Sequence, residues 1–228
     1  MPEVLPNLFP PIAIVTAYLG VIILVSESLH RFWAVDSEVT RKVVHIGTGN
    51  VILLAWWLQI PAWVGVSASV LASIVTLVSY QIPILPGVNS IGRKSLGTFF
   101  YAVSMGILVA YFWNIEQPQY AAIGILTMSY GDGMAALIGQ RFGKHSYRVG
   151  GMTKSWEGSL TMFVVSYVVC NGILAFTLGS TWQNVFVSVV VAICATGLEL
   201  FSWWGIDNFT VPVGSAFITY ALIQSLLG

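Results

Sequence analysis

Asp132 stands between Gly131 and Gly133, directly after the apolar run Tyr120–Met128, and Arg141, Lys144, Arg148 and Lys154 follow it before Glu157 closes the stretch. A carboxylate in apolar sequence is costly unless it is paired or functional. Flanking glycines allow uncommon backbone dihedrals or the close approach of a ligand. One such carboxylate followed by a cationic loop suits a metal-bound polyphosphate at a membrane surface, with Asp132 at its centre. The competing expectation is a structural aspartate that caps a helix restarting at Met134.

Lys154 leads into Ser155-Trp156-Glu157-Gly158 at the start of another apolar run. Ser155 or Thr153 can cap that helix and Glu157 suits its first turn. A lysine beside a helix N-terminus offers a point charge and free N–H groups to a phosphate. Lys154, Ser155 and Gly158 are therefore candidate phosphate contacts. No GxxxxGK[ST] occurs, so the loop is not of the Walker A type. Arg41-Lys42 opens a further apolar segment; Arg41, His45 and Gly49, spaced by four, share one helix face. Arg41 and Lys42 are candidate phosphate ligands and His45 a candidate base. Arg93-Lys94 repeats the pattern before a later segment and makes Lys94 a weaker candidate. Glu199 and Asp207 are further carboxylates at the ends of apolar runs. Mg²⁺ takes one or two carboxylates together with phosphate oxygens, so Asp132, Glu199 and Asp207 suffice as candidate ligands.

These residues must be positioned by membrane helices. The chain of 228 residues is 57% hydrophobic and 8% charged, with a mean hydropathy of +0.83, against roughly 25% charged for a soluble domain. The expected fold is an all-α integral membrane protein in one domain, a polytopic bundle of about eight transmembrane helices, seven being possible. Candidate spans are Pro11–Leu29, Val43–Leu58, Ala62–Tyr80, Leu96–Trp113, Tyr120–Gly139, Gly158–Leu178, Val185–Trp204 and Val211–Leu227. The N-terminal MPEVLPNLFPP lacks a basic region, so neither a signal nor a transit peptide is expected. Cys170 and Cys194 lie within apolar runs and read as packing residues. With this topology every lysine and arginine falls on one side, which the positive-inside rule makes cytoplasmic. Glu27, Asp132, Glu157, Glu199 and Asp207 fall at or just inside the same side. Tryptophans near span ends, such as Trp33, Trp57 and Trp204, form an aromatic belt.

Four segments in this order, RKVVHIGTGN, YGDGMAALIGQRFGKH, KSWEGSLTMF and LELFSWWGIDNFTVP, resemble the membrane-embedded CTP-dependent polyprenol kinases, the group of dolichol, phytol and farnesol kinases; in size the chain resembles the phytol kinases. The resemblance runs from Arg41 to Pro212. It implies phosphoryl transfer from CTP, with UTP or ATP as alternative donors, to a lipid alcohol, with Mg²⁺ as cofactor. It implies a site at the cytoplasmic face of a prokaryotic inner or thylakoid membrane. It points to Arg41, Lys42, Asp132, Gly139, Lys154, Glu157, Glu199 and Asp207, which adds Glu157 to the metal candidates. Gly139, Arg141 and Lys144 join the phosphate-binding set. The central stretch is also similar to the CTP:phosphatidate cytidylyltransferases, but the KRxxxxKD element of that group is absent. A CDP-lipid synthase and a transporter using Asp132 and Glu199 as coupling carboxylates are the alternative readings. Clustering of the charges at one side, rather than at the midplane, disfavours the transporter.

Overall fold

The computed structural model describes residues 8–33, 35–80 and 95–227. A long helix α1, Phe9–Trp33, is followed by α2, Ser37–Gly49, α3, Val51–Trp57, and α4, Ala62–Ser79. After α5, Gly97–Phe112, a continuous helical rod comprises α6, Pro118–Leu126, a π-helical turn, Thr127–Asp132, and α7, Gly133–Phe142. A small hairpin, β1 Ser146–Val149 and β2 Met152–Ser155, leads into α8, Trp156–Leu178. Then come α9, Trp182–Glu199, a 3₁₀ turn, Trp203–Gly205, and α10, Asp207–Leu227.

Local chemistry sets the starts. Pro118 occupies the first turn of α6, where a missing N–H costs nothing. The Asp36 carboxylate accepts from Glu38 N at the head of α2, Ser155 Oγ accepts from Gly158 N at α8, and Thr181 Oγ1 accepts from Asn184 N at α9. Six helices among the described residues are long and apolar enough to cross a membrane, counting Pro118–Phe142 as one, so the chain is an all-α integral membrane protein. The two remaining expected spans differ in form. Leu96–Trp113 is the shorter helix α5. Val43–Leu58 starts six residues earlier, at the Asp36 cap, and divides at Asn50 into α2 and α3.

Asn50 has a reason to sit at that break. Its amide nitrogen donates to Ile46 O and to Tyr18 Oη of α1, both at 3.3 Å, and its amide oxygen accepts from Tyr130 Oη of the π turn at 3.0 Å. One polar side chain thus ties three segments together.

The rod Pro118–Phe142 is the core. Tyr120, Ala121, Ala122, Ile123, Ile125 and Met128 are fully shielded on it, whereas no residue of α1 is buried. Between helices in lipid, close packing rather than the hydrophobic effect supplies the attraction. Gly124 shows the tightness: a Cβ there would run into the backbone carbonyl of Pro212 in α10. At one end of the bundle, Phe112, Tyr120, Phe217 and Tyr220 form a tilted and edge-on aromatic cluster with centroids 5.1–5.7 Å apart.

Candidate active site

Five separate elements of the chain deliver charge to one cavity of about 1480 Å³. Its lining includes Arg41, Lys42 and His45 from α2, Asp132 from the π turn, Lys154 from β2, Glu199 from the end of α9, and Asp207 at the start of α10. Gly139, Ser155 and Gly158 line it as well.

Lys42 and Asp132 form an ion pair, with the side chains 7% and 14% exposed. The backbone is helical through Asp132, and its carboxylate meets Lys42 rather than capping a helix. The π turn, with its wider winding, is a common device where a helix must aim a functional side chain. His45 Nε2 lies 3.9 Å from Asp132 Oδ2 and has no hydrogen-bond partner, although it is buried. The imidazole rests against the ring of Tyr101, centroids 4.7 Å apart. Tyr101 Oη meets Ser129 Oγ at 2.6 Å, and Ser129 Oγ donates to Ile125 O at 2.7 Å. Gly49 gives this group its room, since a Cβ there would overlap Ser129.

The second pair joins Lys154 to Glu199. Lys154 Nζ donates to the Glu199 carboxylate, to Glu199 O at 2.8 Å and to Ser202 Oγ at 2.9 Å. The hairpin makes this reach possible. Gly150 and Gly151 turn it with φ of 52° and 84°, the signature of a two-residue type I′ connection. Trp203 Nε1 then donates to Gly150 O at 2.9 Å, so the hairpin docks on the 3₁₀ turn beside Glu199. Asp207 is buried, with its Oδ1 accepting from Asn208 Nδ2 at 3.3 Å.

The remaining expected residues divide between the cavity wall and the outside. Arg41 lines the cavity but pairs with Glu38 at 2.8 Å. Gly139 and Gly158 approach closely over Ser155, so both glycines have a packing role at the cavity wall. Arg141 and Lys144 are exposed and not part of the lining; Arg141 sits over the Phe142 ring at 5.5 Å. Glu157 is not brought together with the other acids. It accepts from His145 N at 3.3 Å and meets His145 Nδ1 at 2.7 Å, outside the cavity. The physical reason is its place in the first turn of α8, facing the loop before the hairpin. Lys94 lies outside the described residues. Ser202, Glu38 and Tyr101 were not legible as site residues. Ser202 stood beside a tryptophan pair read as belt, and Tyr101 was hidden in an apolar run.

Among the described residues, no three His, Cys, Asp or Glu side chains gather into a metal cage. The lining nevertheless pairs three cations (Arg41, Lys42, Lys154) with four carboxylates (Glu38, Asp132, Glu199, Asp207). Such a wall does not attract a bare polyanion, whereas a polyanion carrying a divalent cation suits it. Mg²⁺ held by one or two carboxylates and phosphate oxygens therefore fits this donor set.

The fold and site define a membrane-embedded protein with a cavity lined by acid–lysine pairs. Comparison with known proteins gives the family. The chain is 51% identical over 220 residues to a phytol kinase of Synechocystis sp., covering 96% of this chain and 94% of that protein. It is 28% identical over 226 residues to phytol kinase 1, chloroplastic, of Arabidopsis thaliana, covering 87% and 71%. It is also 28% identical over 171 residues to the chloroplastic farnesol kinase of the same plant, covering 65% and 54%. No protein-family profile and no solved structure matches the chain. The chain belongs to the phytol kinase family.

Proposed function

We propose that the protein is a prenol kinase that moves the γ-phosphate of CTP to the hydroxyl of phytol or a related isoprenoid alcohol. The observation that carries this reading is the pair of lysine–carboxylate contacts, Lys42–Asp132 and Lys154–Glu199, on the wall of one cavity. The kinase relatives supply the reaction class, and the resemblance of the four segments supplies CTP as donor.

Phosphoryl transfer asks mainly for positioning and charge neutralisation. Lys42 and Lys154 can exchange their carboxylate partners for phosphate oxygens, keeping each ammonium paired throughout. Arg41, at the rim, adds a third cation to the triphosphate. Once Lys42 and Lys154 turn to the phosphates, Asp132 and Glu199 are released and, with Asp207, would hold Mg²⁺. When bound, that ion would neutralise charge on the phosphate oxygens. The prenol oxygen attacks phosphorus, the bond from the γ-phosphorus to the bridging oxygen breaks, and CDP departs. The hydroxyl proton leaves to Asp132 or to His45, whose unpartnered Nε2 faces the same point. All lysines and arginines fall on one side of the expected topology, which supports a cytoplasmic site in a multi-pass protein. The cyanobacterial relative supports a prokaryotic inner or thylakoid membrane.

The test is product analysis with purified protein, phytol and CTP. Phytyl monophosphate plus CDP is the expected outcome. Pyrophosphate plus a CDP-lipid would replace the kinase by a cytidylyltransferase.

A further inference from the structure

The cavity has a second compartment that the phosphoryl chemistry does not use. Beyond His45 its walls turn mostly apolar, with Ile52 and Ala55 of α3, Gly65, Ala68 and Ala72 of α4, and Val109 of α5; Ser69 and Thr76 of α4 are the hydroxyls among them. The α2–α3 segment runs from Lys42 and His45 at the charged end to Ala55. Helices α4 and α5 are antiparallel, with Gly65 against Val109 and Gly106 against Ser69. Residue Gly97 of α5 packs on Gly205, next to the turn that carries Ser202, so Tyr80 and Gly97 mark the charged end and Gly65 and Val109 the far end. At a rise of about 1.5 Å per residue the arm is about 15 Å deep from His45 to Ala55, and about 22 Å from Tyr80 to Gly65.

Helix α4 has two unlike faces along this length. Val70, Leu71 and Ile74 are large and exposed on the outside. Ala68 and Ala72, also exposed, line the cavity and leave its width open. An apolar arm continuous with a phosphoryl-transfer site matches an amphipathic acceptor that has its hydroxyl at one end.

We infer that this arm receives the isoprenoid chain of the acceptor, and that positions 72, 68 and 65 of α4 measure its length. The inference rests on the kinase reading above. An isoprene unit adds four backbone carbons, and with C–C bonds of about 1.5 Å it extends the chain by about 5 Å. The arm then holds about three to four units, the length of farnesol to phytol. Measured from Tyr80, Ala72 lies about 12 Å down the arm and Ala68 about 18 Å, near the ends of the second and third units. Both are exposed alanines on the cavity lining, so a larger side chain at either narrows the arm.

The experiment compares kcat/KM of the wild type, Ala68→Phe and Ala72→Phe on geraniol, farnesol and phytol in detergent or nanodiscs. Ala68→Phe keeps geraniol and farnesol within threefold and loses phytol by tenfold or more. Ala72→Phe keeps geraniol and loses both longer alcohols. KM for the nucleotide stays within twofold in each. A cut-off that does not move between the two variants, or an equal loss on all three alcohols, overturns the inference. Wild-type protein inactive on every alcohol would instead overturn the kinase reading. Independently of the variants, a diazirine on the terminal unit of phytol should label the wild type on the cavity side of α4 or on α5. Labelling confined to the outer face around Val70, Leu71 and Ile74 would give the arm to a bilayer lipid and defeat the proposal.

Discussion

Lys42 and Lys154 each hold a buried carboxylate, and that arrangement makes two distinct demands on mutations. Asp132→Asn keeps the size of the side chain and removes the charge that faces both Lys42 and His45. Loss of one preorganised charged group at a reaction centre commonly costs about 10²–10³ in rate. Asp132→Asn should therefore lower prenol phosphorylation by at least that factor while the protein still inserts and purifies as a single species. Turnover like that of the wild type would remove Asp132 from the chemistry. The Lys154–Glu199 pair separates stability from catalysis. Its side chains are 16% and 9% exposed, and removing one partner of a buried pair destabilises by about 3–5 kcal/mol. Lys154→Met and Glu199→Gln should each lower the Tm in detergent, and the double variant should recover most of the loss while remaining inactive. Additive losses in Tm would show that the pair is not coupled.

Among the helices, the rod Pro118–Phe142 decides where Asp132 points, and its packing is the most sensitive in the molecule. Gly124 lies against the Pro212 carbonyl, whereas Gly172 of α8 has nothing within 4 Å of a built Cβ. Gly124→Ala should therefore destabilise by about 1–3 kcal/mol through overpacking. Gly172→Ala should be neutral or slightly stabilising, because helical Ala is favoured over Gly by about 1 kcal/mol. Thermal unfolding of the two variants side by side checks this; equal effects would contradict the close α6–α10 contact. The rod itself was legible as an apolar run, but its π turn was not, because one wider turn leaves no mark in residue pattern. The hairpin had a readable signal, Gly150-Gly151 between short polar-apolar stretches, yet it looked like part of a cationic loop. The early start of α2 was also readable in principle, from the Asp36 cap. Asn50 divides α2 from α3 through contacts to Tyr18 and Tyr130 that are distant in sequence, which no local pattern reveals.

At the scale of the molecule, composition alone gave a membrane bundle, since so few charged residues cannot cover a water-soluble surface. Charges standing in or at the ends of apolar runs singled out Lys42, Asp132, Lys154, Glu199 and Asp207, and four-residue spacing added Arg41 and His45; all seven line one cavity. Glu157, Arg141 and Lys144 share the same stretch of chain but sit outside that lining: Arg141 and Lys144 are exposed at and just past the end of α7, and Glu157 turns to His145 from the first turn of α8. The apolar arm was invisible in the sequence: small residues on α4 read as ordinary span residues until α3 and α5 stand opposite them. If the charged end is cytoplasmic, a single cysteine at exposed Lys144 should react with an impermeant maleimide only from that side of oriented vesicles. Labelling from the opposite side alone would invert the topology.

The most direct measurement is the fate of the label when the protein is given phytol and CTP carrying a tracer in either the α- or the γ-phosphate. The γ-label should appear on phytyl monophosphate with wild-type protein and not with Asp132→Asn, while the α-label stays with CDP. An α-label recovered in the lipid, or γ-labelled lipid formed equally by both proteins, would contradict the account.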